Sequence, residues 1–311
     1  MSLINLHRCQ QGILAESNLH SLYLMFNLKT EEVDEVKQQL ACFQGMINEF
    51  SEEYSESELS AFIAIGALAW DNLFPNARPR ELMAFPQFEN AKYPVPDTPA
   101  DLFVHIRSDR ADVNHLVGTH VCELFADKVM LVEQVKGFRY LDGRDLTGFV
   151  DGTENPHGEH RRAVALVSRE QDEVFAGGSY IHTQRYRHSM HMWNELPTKQ
   201  QEDIVGRTKV ENIEYKSADK PPCAHIKRAN IKDEQGKSIE ILRQSMPYGT
   251  MRHQGLFFIS CANTPTAFNK MLERMVCVDE QGHYDQLLDY TQAETGAAFF
   301  APSIDFLRQY L

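Results

Sequence analysis

The sequence feature that most constrains the fold is a pattern of a strand followed by a helix, which occurs once in each half of the chain. In the first half, the apolar segment Asp101 to Arg110 precedes apolar residues at helical spacing from Val113 to Leu124. In the second half, Gly255 to Thr264 precedes a similar series from Phe268 to Met275. Short apolar runs are typical of strands, and a spacing of three or four residues is typical of one face of a helix. The pattern therefore indicates a duplicated unit.

Two further predicted strands, Leu19 to Phe26 and Gly178 to Tyr186, lie early in the two halves. Each is followed by a predicted helix, Thr30 to Phe50 and the segment from His188 through Glu195. Strands that alternate with helices in a repeated order favour an α+β class, with antiparallel sheets that carry helices on one face. We predict two ferredoxin-like modules, residues 1–150 and 151–311. A single mixed α/β domain is the alternative.

Composition excludes several classes of protein. The 311 residues suffice for one large or two medium domains. A net charge of −13 repels nucleic acid and anionic membrane surfaces. The longest apolar run, Ala61 to Trp70, is about half of the roughly 20 residues that a membrane span needs. The first residues lack a basic secretion signal, so we expect a cytoplasmic protein without nucleic-acid or membrane partners.

The six cysteines are scattered without a C-x-x-C motif, which excludes a zinc ribbon, a redox pair or covalent haem attachment. We expect reduced and mostly buried thiols.

The segment from Asp142 to His157 carries the densest candidate chemistry, with three glycines and four carboxylates. At its core, Gly148 and Gly152 flank Asp151. Glycine permits backbone conformations that let a loop approach a flat ligand closely, with the carboxylate directed at it. An ordinary Asx turn is the alternative. The acidic loop lacks a Gly-Lys-Ser/Thr sequence and is therefore not a phosphate-binding loop.

Four basic residues, at three places in the chain, have more than one interpretation. His188 and His191 have a possible metal-ligand spacing, but they also fit the start of an amphipathic helix. His225 follows a Pro-rich turn and is either a ligand or a surface residue. Arg243 lies in a predicted strand, Ile239 to Tyr248, and needs an anionic partner if it is buried.

Together these motifs resemble the dye-decolorising peroxidase family, from about Gln11 to Leu307. The strongest element is the G-x-x-D-G signature within Leu146 to Pro156. The other matching segments are Pro94 to Asp109, Gly177 to Tyr186, Ile204 to Thr208, Ala224 with His225, Ile241 to Gly249, Leu287 to Thr291 and Thr295 to Ser303. The resemblance implies a fold of two ferredoxin-like modules of the dimeric α+β barrel type, with the cofactor site in the second module.

The resemblance also implies a haem b cofactor, one per chain, with His225 as the iron ligand. We expect Asp289 to accept a hydrogen bond from this imidazole. Asp151 and Arg243 are the implied catalytic residues, because one moves the peroxide proton and the other supplies positive charge. Further implied cofactor contacts are Gly152, Thr153, Glu154, Gln184, Arg207, Arg243 and Phe258.

One position departs from many relatives, which carry Asn in the distal pocket where this chain has Ser245. Serine is shorter and donates one hydrogen bond. We predict Ser245 as a third catalytic residue beside Asp151 and Arg243. The absent leader and the compact length resemble the bacterial, cytoplasmic B-type subgroup. Four residues follow Leu307, too few for the tail that docks some relatives in a protein shell.

The predicted function is a haem peroxidase that reduces hydrogen peroxide and oxidises aromatic donors such as dyes and phenols. Trp193 and Tyr186 are candidates for an electron path to the surface, with core packing as the alternative. Other functions left open are a haem carrier with incidental peroxidase activity and a haem-modifying enzyme. We expect a homo-oligomer, a dimer or larger.

Overall fold

A computed structural model describes residues 8–29 and 33–311. The first residues of the predicted helix from Thr30 lie outside the described residues. In chain order, the strands are β1 His20–Leu28, β2 Ser60–Gly66, β3 Leu102–Ser108, β4 Val129–Phe138, β5 Ser179–His188, β6 Leu242–Arg243, β7 Met246–Gly249, β8 Gln254–Ala262, β9 Thr291–Ala293 and β10 Ala297–Ala301. The helices are α1 Val33–Glu53, α2 Ala67–Leu73, α3 Ala111–Phe125, α4 Glu159–Ala165, α5 Met190–Glu195, α6 Thr198–Val205, α7 His225–Ala229, α8 Pro265–Val276 and α9 Ile304–Leu307.

The two halves of the chain build sheets with the same strand order. The first half has the order β4-β1-β3-β2. When the short strands β6 and β9 are set aside, the second half has β10-β5-β8-β7, which is again fourth, first, third and second. Their strand pairings are antiparallel. This order is that of a ferredoxin-like unit, and the predicted α+β class is confirmed.

The two sheets join edge to edge and close into a barrel. β2 pairs with β10 through Ile65 and Gly66, and β4 pairs with β7 at Gly137 and Tyr248. Closure gives hydrogen-bond partners to backbone groups at the edges where the two sheets meet. Aromatic side chains fill the barrel, where the rings of Tyr23 and Phe257 stack with centroids 4.0 Å apart.

Helices cover the outer faces of the barrel. α1 and α3 bury one apolar side against the first sheet, through residues such as Leu40, Phe43 and Val117. On the second sheet, α8 begins with a Thr264 cap and buries Phe268 and Leu272. The second sheet and its helices enclose the cavity described below.

The predicted strand from Ile239 to Tyr248 is interrupted. β6 ends at Arg243 and β7 begins at Met246, so Gln244 and Ser245 form a break beside β8. The hydroxyl oxygen of Ser245 accepts a hydrogen bond from the backbone N–H of Ile259 at 3.2 Å. Alternating hydrophobicity indicated a continuous strand because it carries no information about this break.

The prediction of mostly buried thiols is wrong for most of the cysteines. Cys261 is buried and Cys42 is exposed, and the other four are partly exposed, all with free thiols. In the part of the chain that the structure describes, no helix is both long and apolar enough to cross a bilayer.

Candidate functional site

A cavity of about 270 Å³ lies between the second sheet and the helices that cover it. Its walls come from β5 and β8, from α7 and α8, and from the loop that contains Asp151. Much of the lining is apolar: Val205, Ile226, Ala229, Leu256, Met271, Leu272, Met275, Leu287 and Leu288. Such a surface suits a large apolar ligand with a few polar anchors.

Asp151 lies on the cavity wall, held by a loop that needs its two glycines. Gly148 has φ +91° and Gly152 has φ +72°, a region that side-chain-bearing residues rarely adopt. The backbone N–H of Gly152 donates to Asp151 Oδ1 at 2.7 Å. Burial raises the pKa of the Asp151 carboxyl, and the nearby charge of Arg243 opposes the rise. The carboxyl is therefore poised to exchange a proton at a higher pH than an exposed aspartate.

Arg243 reaches the same cavity from the end of β6, and Asn155 fixes its backbone. Asn155 Oδ1 accepts from the Arg243 N–H at 2.8 Å, while Asn155 Nδ2 donates to the Arg243 carbonyl at 2.9 Å. The side-chain Nε of Arg243 is buried and has no hydrogen-bond partner among the described residues. A buried guanidinium N–H without a partner is costly, so this atom indicates a missing acceptor.

His225 begins α7 and also lines the cavity. Its Nδ1 lies 2.6 Å from Oδ2 of Asp285, whose side chain is fully buried. Burial by itself would lower the pKa of His225, but the Asp285 carboxylate outweighs burial and raises it. A backbone hydrogen bond from Gln286 to the Cys223 carbonyl, 3.0 Å long, ties the two segments together. The carboxylate fixes the ring orientation and leaves Nε2 available as a ligand.

The prediction that Asp289 is the acceptor for His225 is wrong. Asp289 Oδ1 instead accepts from the hydroxyls of Tyr93, at 2.6 Å, and Tyr284, at 2.9 Å. The bond to Asp289 raises the pKa of Tyr93, while burial, with the Asp289 bond second, raises the pKa of Tyr284. Asp289 is not part of the cavity lining, so the structure gives no support to its prediction as a cofactor contact.

Arg207 is the second buried cation on the cavity wall. It donates to Glu154 at 3.0 Å and to the side-chain and backbone oxygens of Asn212 at 2.9 Å. Its Nε is buried and without a partner among the described residues. A guanidinium with a remaining donor beside an apolar cavity is suited to a carboxylate on a bound ligand.

Most of the remaining predicted contacts line this cavity: Gly152, Thr153, Glu154, Gln184 and Phe258. Gln184 accepts a hydrogen bond from the Tyr186 hydroxyl at 2.8 Å. Ser245 does not line it. Ser245 lies instead on a second cavity, which shares Asp151 and Arg243 with the first.

His188 and His191 do not share a site. His188 lies on the cavity wall between Asp145, 3.0 Å from Nε2, and the Thr291 hydroxyl, 2.8 Å from Nδ1. His191 is on the surface beside Glu195. Among residues 8–29 and 33–311, no cluster of three or more His, Cys, Asp or Glu side chains forms a metal site.

Trp193 and Tyr186 are interior residues. Trp193 is fully buried, and its ring N–H donates to the Thr147 carbonyl at 2.9 Å. Tyr186 is 8% exposed. Neither ring reaches the surface, as an electron exit would have to. Both side chains are packed in the interior, which was the alternative interpretation.

The site therefore has an imidazole with a buried carboxylate partner, an aspartate and an arginine with an unsatisfied donor, around one largely apolar cavity. An axial ligand, a proton acceptor and a fixed positive charge are the parts of a peroxide-activating metal-macrocycle site. A buried cation with a free donor, Arg207, adds an anchor for acidic substituents. The residues present fit a haem group, and the class defined is a haem peroxidase.

Comparison with known proteins gives the family. Residues 10–139 match the model of the Dyp-type peroxidase N-terminal domain, and residues 142–306 match that of the C-terminal domain. A dye-decolorizing peroxidase of Rhodococcus erythropolis is 37% identical over 96% of this chain and 87% of its own length. The chain belongs to the Dyp-type peroxidase family. Peroxidases of this family are haem enzymes, so the predicted class of enzyme and cofactor are confirmed.

Solved structures of Dyp-type peroxidases are similar to this chain over nearly its whole length. A putative Dyp-type peroxidase of Shewanella oneidensis has a TM-score of 0.95 and 53% identity, with 98% of this chain and 99% of the other covered. The encapsulated Dyp-type peroxidase of Mycobacterium smegmatis has a TM-score of 0.93 and 35% identity, with 97% of each chain covered. An Arg-to-Leu variant of Rhodococcus jostii DypB, determined in complex with haem, has a TM-score of 0.91 and 34% identity, with 96% and 97% covered.

Sequence reasoning missed two residues of the site, Asp285 and Asn155. Asp285 also accepts from the Leu287 N–H at 3.0 Å, as a helix-capping residue does. A capping aspartate is a local feature, and it gives no reason to pair Asp285 with His225. Asn155 lies in the conspicuous loop, but its partner is 88 residues away.

Proposed function

We propose that this peroxidase reduces hydrogen peroxide and oxidises small aromatic donors at a haem ligated by His225, with Asp151 and Arg243 on the other face. One observation carries the proposal: His225, paired with the buried Asp285, lines the same cavity as Asp151 and Arg243. Asp151 and His225 are also close enough to influence each other's pKa.

The haem would supply an iron that binds peroxide and stores the oxidising equivalents released when the O–O bond breaks. His225 would hold the iron through Nε2, while Asp285 keeps the Nδ1 proton and increases the electron donation of the ring. Asp285 needs no movement for this role, because its second oxygen is fixed by the Leu287 N–H.

Asp151 would move the proton. Its carboxylate would accept the proton from the inner oxygen of the peroxide and return it to the outer oxygen, which leaves as water. The Gly152 N–H fixes Oδ1, so Oδ2 is the oxygen for this transfer. Arg243 would stabilise the negative charge that develops on the departing oxygen, because Asn155 holds its backbone and its buried Nε has no hydrogen-bond partner among the described residues.

The cofactor periphery would be held by cations and by the loop backbone. Arg207 is the candidate partner for a propionate, and Gly152, Thr153 and Glu154 would border the ring edge. Gln184 and Phe258 would contact its face from β5 and β8. Ser245 is not assigned a catalytic step, because its hydroxyl is bonded to the Ile259 N–H at the break between β6 and β7.

The absorption spectrum of protein expressed with adequate haem tests the ligand. We expect His225→Ala to lose or shift the Soret band and to lose its response to one equivalent of peroxide. His188→Ala is the matched control, since His188 lines the same cavity but has partners at both ring nitrogens. A Soret band that is indifferent to His225 and lost in the control would overturn the assignment.

We further propose one haem b per chain, a cytoplasmic location, a homo-oligomer of at least two chains and a module boundary near residue 150. The boundary is supported by family matches that end at residue 139 and resume at residue 142. Light scattering that gives a monomer at working concentration would exclude the oligomer.

A further inference from the structure

We propose that a second cavity, which shares Asp151 and Arg243 with the haem cavity, binds a small monovalent anion of the halide or carboxylate class. This arginine cavity has a volume of about 230 Å³ and is bordered by Asn18, Arg107, Arg139, Arg161 and Ser245. The inference does not depend on the roles proposed for Asp151 and Arg243, which line both cavities.

The arginine cavity has an excess of positive charge. Its lining contains five arginines and two aspartates. Arg144 is neutralised by Asp142, at 2.8 Å, and its other donors reach the carbonyls of Gly148 and Lys209. Arg243 is shared with the haem cavity. The remaining cations of the lining are Arg107, Arg139 and Arg161.

Arg107 is the strongest evidence for an anion. It is 3% exposed, and NH1 donates to the Gln244 side chain at 2.5 Å. Its Nε is buried without a hydrogen-bond partner, and no carboxylate of the described residues lies within salt-bridge distance. Burial, together with the nearby charge of Arg161, lowers the pKa of Arg107. A guanidinium rarely stays buried without a counter-charge, because removal from water is costly.

Arg161 is a second buried arginine on the lining of this cavity. It is 9% exposed, and NH2 donates to the carbonyls of Leu14 and Ala15, at 3.1 and 2.8 Å. Its Nε is also buried and unpartnered. Its one carboxylate, Glu16, is 3.4 Å from NH1 and has a largely exposed side chain. Two buried guanidinium groups thus have unused donors on a single cavity.

The lining also limits which anion fits. Asp151 borders the cavity, so a doubly charged anion such as phosphate would meet a like charge. A monovalent anion would neutralise Arg107 with less repulsion. Asn18 and Ser17 are small polar neighbours that leave room for an ion of a few atoms.

Bromide tests the site directly, because its anomalous scattering identifies the ion and its position. We expect crystals of the haem-loaded protein grown with bromide to show an anomalous peak beside Arg107, and we expect formate to displace it. A cavity that holds only water, or bromide confined to the outer surface, would overturn the proposal. Phosphate density in place of bromide would overturn the monovalent class.

Calorimetric titration with formate tests the site in solution, with ionic strength held constant by a bulky sulfonate and the Soret band recorded to detect binding at iron. We expect Arg107→Gln to weaken formate binding at least tenfold without a Soret change. The control Arg187→Gln removes an exposed arginine of β5 and should bind as the wild type does. Equal loss in both variants would contradict the site. If Arg107→Gln fails to fold, Arg139→Gln, at an exposed position of the lining, replaces it, and the wild-type bromide crystals still decide.

Discussion

His225 Nδ1 lies 2.6 Å from Asp285 Oδ2, and this pair joins two segments 60 residues apart in the chain. Asp285 is fully buried, and its other oxygen is bonded to the Leu287 N–H. With both oxygens engaged, the buried carboxylate is held in one position. The imidazole is therefore fixed in one orientation before any cofactor binds.

Asp285→Asn should change the absorption spectrum and the reactivity of the haem. Asp289→Asn is the control and should have almost no effect on either. The amide keeps the shape of the side chain but accepts a weaker hydrogen bond from the imidazole than a carboxylate does. The ring therefore donates less electron density to the iron. We expect a shifted haem spectrum and a peroxide reaction about 10- to 100-fold slower. Stopped-flow absorption on both variants measures this. A larger effect in Asp289→Asn than in Asp285→Asn would contradict the assignment.

The rate of the peroxide reaction should fall toward acidic pH, because Asp151 must be ionised to accept a proton. Burial raises the pKa of Asp151, so the loss of rate as pH falls should begin above the pKa of about 3.9 that is typical of an exposed aspartate. Asp151→Asn should remove this acid limb and slow the reaction about 10²- to 10⁴-fold. Single-turnover rates measured against pH provide the test; a limb that persists in Asp151→Asn must belong to another group.

Asn155 is predicted to act as a positioning residue for Arg243. Asn155→Ala removes both hydrogen bonds to the Arg243 backbone, and a displaced guanidinium stabilises developing charge less well. We expect a loss of about 10- to 100-fold in the peroxide rate with an unchanged resting Soret band. Asn155→Asp keeps the acceptor for the Arg243 N–H and should recover part of the rate. Equal rates in the alanine variant and the wild type would remove Asn155 from the mechanism.

Trp193→Phe should affect stability and not dye oxidation. The substitution removes the bond to the Thr147 carbonyl and leaves space beside Phe149 and Tyr290, at a cost of about 1–3 kcal/mol in the free energy of unfolding. Because the ring is fully buried, dye turnover by the folded variant should equal that of the wild type. Denaturant titration and steady-state dye kinetics measure the two effects. A folded variant with impaired dye turnover would restore Trp193 as an electron carrier.

The sequence by itself determined the class of fold and the loop of Asp151. Strand and helix periodicity follows from local side-chain alternation, and it placed β1, β3, β5 and β8 with their following helices. Glycine at positions 148 and 152 is likewise a local requirement of the backbone, and both positions have positive φ. These properties depend on a few consecutive residues, so they can be predicted without knowledge of the whole structure.

Only the tertiary structure decided which groups meet. Asp285 and Asp289 lie four residues apart in the same short segment, and either could be imagined beside His225. The 3₁₀ turn from Gln286 to Asp289 directs one carboxylate at the imidazole and gives the other to Tyr93 and Tyr284. The break at Ser245 and the pairing of Asn155 with Arg243 also depend on segments distant in the chain. Pair contacts of this kind arise from the closure of the barrel and the packing of helices on it, and local sequence carries no record of either.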